Sequence, residues 1–165
     1  MRRKEREVKD SKKIDDIIAE CKICRLGFNN GGKIYVVPLN FGFVKENGKR
    51  ILYFHSAREG KKIELIMSEG YAGFEMDTGY SLISGKKACD YTAGFRSIIG
   101  GGKISVVNDN SEKLIGLKAL MNSAVSEKKD WSFDEKWFKA VCVIRLEIEE
   151  ISCKENLCIK TEVTS

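Results

Sequence analysis

A predicted β-hairpin centred on Asn47-Gly48 constrains the fold of this chain more than any other feature of the sequence. Asn-Gly between two alternating apolar runs is a strong hairpin signal, because both residues tolerate the positive φ angles of a type I′ turn. The apolar pattern predicts strands over residues 33–41 and 49–55, followed by a helix over residues 59–67. This stretch therefore predicts strand, turn, strand and then a helix whose first turn is basic.

The junction between the second of those strands and the helix is a candidate phosphate-binding corner. His55 and Ser56 end the strand, and Gly60, Lys61 and Lys62 lie at the start of the helix. A helix start offers unpaired backbone N–H groups and the positive end of the helix dipole, and glycine permits close approach of a ligand. The alternative is that both lysines only solvate a surface helix, as most such pairs do. The residues alone leave both interpretations open.

Pro38 is the single proline of the chain and lies inside the predicted strand over residues 33–41. Proline has no N–H group to donate to a neighbouring strand, so this position predicts a sheet edge or a bulge. An open edge in an otherwise paired sheet is a natural place for a ligand to lie against the backbone.

The remaining elements are predicted from periodicity and capping residues. They are a helix over residues 11–21 capped by Asp10 or Ser11, strands over 23–28, 71–77 and 81–87, a long strand over 95–107 that bends at Gly100–Gly102, a helix after Asp109, a short helix from Asp134 and a strand over 140–148. Helices lie between hairpins and do not follow every strand, which argues against a doubly wound parallel sheet. We expect a mainly β fold: an antiparallel barrel with helices packed outside.

The length of 165 residues predicts one domain, with a charged arm over residues 1–10, the domain over 11–151 and a tail over 152–165. No window holds the roughly 18 apolar residues of a membrane span, and the charged first residues do not form a secretory signal. We expect a cytoplasmic protein. The net charge of +5 favours small anionic ligands, but no basic stripe with interleaved aromatic residues predicts nucleic-acid binding.

The six cysteines are expected to be reduced thiols in a cytoplasmic chain. Cys21 and Cys24, together with Cys153 and Cys158, could be assembled into a zinc site. However, Cys21 falls on the apolar face of a predicted helix, and the spacing matches no recognised zinc knuckle. We therefore expect no metal site.

Common catalytic motifs are absent from the sequence. The glycine run before Lys103 is not a P-loop, because Ser97 replaces the first required glycine and Ile104 replaces the required Ser or Thr. A single histidine excludes a histidine-rich metal site, and there is no Gly-x-Ser-x-Gly elbow. If the protein is an enzyme, we expect a cofactor to provide its chemistry.

Three segments resemble the pyridoxamine 5′-phosphate oxidase-like flavoproteins, and within them the nitroimidazole-resistance (Nim-type) branch. They are Val36-Val-Pro-Leu-Asn-Phe-Gly, Leu52-Tyr-Phe-His-Ser-Ala-Arg-Glu-Gly-Lys-Lys-Ile, and Cys89-Asp-Tyr with the later Phe95-Arg-Ser-Ile-Ile-Gly-Gly-Gly-Lys. The resemblance extends over residues 6–151. It implies a split β-barrel that forms a homodimer and holds FMN at the subunit interface.

The resemblance also implies roles for individual residues. Lys61 and Lys62 match the pair that binds the FMN phosphate, and His55 and Ser56 match the strand end beside the ribityl chain. The remaining matches are Val37, Pro38, Leu39 and Asn40 along the isoalloxazine ring, Arg96 and Ser97 contributed by the neighbouring subunit, and Trp137 near the ring. His55 is the candidate catalytic residue. Taken singly, His55 and Trp137 more often have structural roles, and Arg96 is equally consistent with a surface or dimer-rim charge.

The function that the resemblance implies is reduction of a small electron-poor substrate, such as a nitroaromatic compound, by FMN. The alternatives are a flavin, heme or deazaflavin carrier on the same barrel, or a purely structural barrel. The basic residues that bind substrate phosphate in true pyridoxamine-phosphate oxidases have no convincing match in Arg145 or Lys154. Oxidation of vitamin B6 is therefore not expected.

Overall fold

The computed structural model describes residues 3–125 and 129–157, which form one antiparallel sheet with helices packed on it. The strands are β1 (Glu7–Val8), β2 (Cys24–Asn30), β3 (Lys33–Leu39), β4 (Gly42–Glu46), β5 (Lys49–Ser56), β6 (Tyr71–Ile83), β7 (Thr92–Val106) and β8 (Cys142–Asn156). The helices are α1 (Ser11–Glu20), α2 (Lys61–Glu69), α3 (Asn110–Ala124) and α4 (Glu135–Ala140). The predicted mainly β class, a split antiparallel barrel, is confirmed.

The strand order in the sheet is β3-β2-β6-β7-β8-β5-β4, and β1 pairs with β8. Two strands, β3 and β4, therefore lie at the ends of this order. The chain passes directly from one to the other, because the strand predicted over 33–41 ends at Leu39 and a separate strand begins at Gly42. Pro38 lies in the end strand β3, as its missing N–H group predicted.

The hairpin between β4 and β5 has the predicted turn. Glu46 pairs with Lys49, and the two residues between them have positive φ angles, 50° at Asn47 and 79° at Gly48. Positive φ at both central positions is the geometry of the type I′ turn, whose twist matches that of the strands.

Both faces of β5 are buried. Leu52 and Phe54 belong to the larger core cluster, which they share with residues of α1, α2 and the other strands. Ile51 and Tyr53 face the opposite way into a smaller cluster beneath α3. The close approach of α3 depends on Gly116, because a Cβ atom there would lie 2.7 Å from the Tyr53 ring.

The sequence predicted a bend at the glycines of β7, and the structure shows a bulge in the opposite strand, β8. Gly101 pairs with Glu150 but Gly102 pairs with Ile148, so Glu149 is the extra residue. This bulge reverses the alternation of β8: Ile144 and Leu146 are buried before it, and Cys153 is buried after it. The strand extends beyond the range of 140–148 predicted for it, because residues 152–156 continue β8 and pair with β1 and β7.

The prediction of two strands over 71–77 and 81–87 was wrong, because one strand, β6, continues from Tyr71 to Ile83 and residues 84–87 lie outside it. Thr78 pairs with Arg96 and Ser81 pairs with Gly94, which leaves one extra residue in β6. Gly79 has a φ of 68° and produces a bulge without reversing the chain.

Substitution of Gly102 by alanine is expected to destabilise the fold by about 3 kcal/mol, because the added Cβ would overlap the carbonyl group of Glu147. The matched control is Gly27→Ala in β2, where the nearest atom to the new Cβ lies 3.8 Å away. We expect the control to change the free energy of unfolding by less than about 0.5 kcal/mol. Urea unfolding of both variants measures the difference, and equal stabilities would contradict this account of the bulge.

Candidate functional site

The corner predicted to bind phosphate forms where β5 turns into α2. His55 pairs with Val143 and Ser56 pairs with Cys142, so β8 fixes the end of β5. The helix begins at Lys61 and follows Gly60, whose φ is 114°. Among the described residues no side chain caps this helix. The N–H groups of Ile63 and Glu64 donate to the Gly60 carbonyl oxygen at 2.9 and 3.2 Å, which leaves those of Lys61 and Lys62 without an intrahelical partner.

The corner is positively charged. Lys61 is exposed and Lys62 is half-buried. Burial lowers the pKa of Lys62, because desolvation disfavours its charged form. Neither lysine has an ion-pair partner among the described residues, so their charges and the helix dipole act together on an anion at this position.

Strand β3 is connected to the corner through β2, because β2 pairs with β3 and packs against α2. Val37, Leu39 and Ile63 are half-buried and pack against the larger core cluster, which connects the β3 edge with the first turn of α2. Pro38 and Asn40 are exposed, and the Asn40 Nδ2 atom donates a 3.1 Å hydrogen bond to the Lys22 carbonyl oxygen. The β3 edge therefore presents both apolar side chains and unpaired backbone groups.

Arg96 and Ser97 do not lie at the corner of their own chain. Arg96 pairs with Glu155 near the end of β8, whereas His55 pairs with Val143 near its beginning. These positions are separated by about 40 Å of strand, taking 3.3 Å per residue. Arg96 also forms ion pairs with Glu20 and with Glu155, the latter at 3.5 Å between Nε and Oε2.

Trp137 lies on the short helix α4, which is attached to the corner by Arg58. The Arg58 Nε atom donates a 3.2 Å hydrogen bond to the Ala140 carbonyl oxygen, and a second guanidinium nitrogen donates to that of Lys139. Trp137 is 46% exposed and stacks on Phe133 with ring centroids 5.6 Å apart. Its position beside the corner therefore depends on the Arg58 contacts.

Sequence reasoning missed a cleft of about 750 Å³ beside the corner. Arg58, Lys113 and Cys142 line it, between α2, the end of β7 and the start of α3. Burial raises the pKa of the Cys142 thiol, although the charges of Arg58, Lys113 and Lys62 oppose that shift.

The signal that could have revealed Lys113 is its spacing. It precedes Gly116, Leu117 and Leu120 by three, four and seven residues, which places it on the buried face of α3. Leu114, the next residue of the same helix, is 38% exposed. The buried face of α3 includes Lys113 and excludes Leu114 because the helix packs on Tyr53 through Gly116, and not through a larger residue.

Three of the four cysteines weighed for zinc lie in the core. Cys21, Cys24 and Cys153 are buried, and burial raises the pKa of each thiol, that of Cys21 to about 12. Cys158 lies outside the described residues. In residues 3–125 and 129–157, no three His, Cys, Asp or Glu side chains group as metal ligands, and no helix is long and apolar enough to cross a membrane.

Comparison with solved structures shows where similar folds occur. A candidate 5-nitroimidazole antibiotic resistance protein from Bacteroides thetaiotaomicron is 27% identical, with a TM-score of 0.76 over 90% of this chain and 85% of that chain. A FAD- and heme-binding protein from Mycobacterium smegmatis is 17% identical, with a TM-score of 0.78 over 92% of this chain and 73% of that chain. A flavocytochrome from Azotobacter vinelandii is 19% identical, with a TM-score of 0.74 over 92% of this chain and 69% of that chain.

The search of curated protein sequences found no match. The family model described as pyridoxamine 5′-phosphate oxidase matches residues 10–155. This range includes strands β2 to β7 and all of β8 except its last residue, and it leaves out β1. The chain therefore belongs to the pyridoxamine 5′-phosphate oxidase family.

Proposed function

We propose that this protein binds FMN at the β5–α2 corner and reduces small electron-poor compounds, such as nitroaromatics. The observation that carries the proposal is the start of α2, where no side chain of the described residues caps the helix and where Lys61 and Lys62 have no ion-pair partner. Proteins of similar structure are named FAD- and heme-binding protein, flavocytochrome and 5-nitroimidazole resistance protein. These names favour a flavin as the cofactor and a nitro compound as the substrate.

The corner fits a phosphate monoester. A phosphate dianion needs several hydrogen-bond donors and positive charge. The N–H groups of Lys61 and Lys62 would donate to it, and the positive end of the α2 dipole would attract it. Gly60 leaves open space around its α-carbon, so a phosphate can approach the backbone closely. Lys61 and Lys62 would add two charge-assisted hydrogen bonds, and the hydroxyl of Ser56 a third donor.

The β3 edge fits a flat ring system with polar edges. The half-buried side chains of Val37 and Leu39 offer apolar contact, and the exposed backbone near Pro38 and Asn40 offers hydrogen-bonding groups. Trp137 would cover the ring from the α4 side. When bound, the flavin supplies the hydride or electrons, whereas the protein binds the phosphate, positions the ring and excludes water.

His55 would orient the substrate or hydrogen-bond the flavin. It is the single histidine of the sequence and is exposed at the end of β5, where its side chain is not needed for the core. Heme binding is the second candidate function, because an exposed histidine is also a possible iron ligand and two similar folds are heme proteins by name.

A homodimer would complete the site. Arg96 and Ser97 lie far from the corner of their own chain, so only a second chain could bring them to the flavin. An exposed apolar surface on β3, β6 and β7 supports such an interface. Its residues are Ile34, Val36, Tyr80, Leu82 and Ile99, each more than half exposed.

Oxidation of pyridoxamine phosphate fits this chain poorly. Arg145 forms ion pairs with Glu112 at 3.0 Å and with Glu147 at 2.7 Å, so its charge is compensated within the fold. Lys154 lies in β8 opposite Ser97, about 36 Å of strand from Val143 at 3.3 Å per residue. Neither residue is placed to bind a second phosphate at the corner of its own chain.

The double substitution Lys61→Met and Lys62→Met is expected to weaken FMN binding by about 100-fold or more, since each charged hydrogen bond contributes about 1.5 kcal/mol or more. Riboflavin, which lacks the phosphate, should bind the variant and the wild type equally. Fluorescence titration measures both affinities, and Lys12→Met on α1 is the matched control. Equal losses for FMN and riboflavin would show that the lysines do not bind phosphate.

His55→Asn is expected to retain FMN affinity within about threefold while lowering turnover about tenfold or more, because positioned hydrogen-bonding and proton-transfer groups typically contribute at least that much. The assay follows oxidation of NAD(P)H with a 5-nitroimidazole as acceptor, with a flavin reductase added if the protein does not accept NAD(P)H. Turnover by the variant at the wild-type rate would remove His55 from the mechanism. Binding of FMN without turnover by the wild type would favour a carrier.

A further inference from the structure

We propose that the cleft between α2, β7 and α3 is a second binding site, separate from the flavin corner, for a small organic anion. Its ligand would be a carboxylate or phosphate ester attached to an apolar body. The proposal does not depend on flavin binding, because its central residue, Lys113, has no part in the proposed FMN site. Arg58 contributes to that site only by holding helix α4.

Lys113 is the central observation. The residue is 6% exposed, yet it lines the cleft. Within the described residues its ammonium group has no carboxylate partner and no hydrogen bond, and its recorded contact is with the Phe138 ring, at 4.8 Å from the centroid. A buried charge without a partner is unfavourable, so an anion in the cleft would compensate it.

Arg58 adds a second positive charge to the cleft. Its guanidinium donates to the carbonyl oxygens of Lys139 and Ala140, which hold it in place but leave its charge uncompensated. Burial is the main cause of the lowered pKa of Lys113, and the charge of Arg58 lowers it further. Two cations that disfavour one another while facing one cavity are typical of an anion-binding site.

The carboxylates near Lys113 in sequence have other partners. The Asp109 side chain accepts the N–H of Glu112 as the cap of α3. The Glu112 carboxylate accepts a hydrogen bond from Tyr53 and forms an ion pair with Arg145. Neither of these two carboxylates forms an ion pair with Lys113, so the positive charge of its ammonium group is available to a ligand.

The rest of the cleft defines the ligand. Ile63, Ile66, Ile104, Val106 and Val141 form apolar walls. Asn108 and Asn110 add polar groups at the start of α3. A volume of about 750 Å³ is within the range of small-molecule sites. The arrangement fits an anionic head beside Lys113 and an apolar body against α2.

The test is calorimetric titration of the FMN-loaded protein with 3-phenylpropionate, with 2-phenylethyl phosphate and with the neutral 3-phenylpropanamide. We expect saturable binding of at least one anion and binding at least about tenfold weaker for the amide. The comparison between the two anions identifies the head group that the site prefers. No saturable binding of either anion, or equal binding of the amide, would overturn the proposal.

Substitutions locate the site. Lys113→Met preserves the length and apolar character of the side chain and should weaken anion binding about tenfold or more, as should Arg58→Gln. Lys118→Met is the control, because Lys118 lies on the same helix, pairs with Asp130 at 2.7 Å and does not line the cleft. Unchanged binding by both test variants would overturn the proposal.

Thermal unfolding separates ligand binding from a structural role of Lys113. Without ligand, Lys113→Met should unfold at the same temperature as the wild type or higher, because it removes an uncompensated buried charge. A large decrease would instead mean that the ammonium group stabilises the fold.

Flavin titration separates the two sites. FMN affinity should be unchanged in Lys113→Met, whereas Lys61→Met and Lys62→Met together should leave anion binding unchanged. Displacement of the anion by FMN would place the flavin phosphate in the cleft and contradict a separate site. If FMN does not bind at all, the anion titrations of the unloaded protein still decide this proposal.

Discussion

The antiparallel pairing of β5 with β8 is the interaction on which the rest of the structure depends. Leu52 and Phe54 join the larger core through this pairing, and Tyr53 joins the smaller core beneath α3. Because both faces of β5 are buried, its end at His55 and Ser56 has a fixed position. The start of α2 follows five residues later, so the barrel packing also determines where the positive end of that helix points.

Basic residues without a carboxylate partner lie near the end of β5. Several basic residues elsewhere in the sheet are paired within the fold, as Arg25 is with Glu75 and Asp77. Lys62, Arg58 and Lys113 have no carboxylate partner among the described residues, although all three act on the Cys142 thiol. The net charge of +5 had predicted anionic ligands without a location, and the fold places charge at the corner and in the adjoining cleft.

Features of this fold that depend on a few neighbouring residues could be predicted from the sequence. The turn at Asn47-Gly48 and the cap at Asp109 are encoded locally, and the resemblance identified the family. The bulge at Glu149 requires knowledge of which strand lies opposite the glycines, and Lys113 joins the cleft only because α3 packs through Gly116. Long-range strand pairing leaves no periodic signal in a single sequence. The spacing of Lys113 is a periodic signal, but a lysine and a glycine on one helix face do not identify that face as buried.

The most direct test of the central claim is the absorbance spectrum of the freshly purified protein, repeated after addition of FMN and gel filtration. The account predicts the near-ultraviolet and visible bands of oxidised flavin, retained with the protein at one FMN per chain. A Soret band in place of the flavin bands would favour heme at this barrel. A colourless protein that does not retain added FMN would contradict the claim that the β5–α2 corner binds flavin.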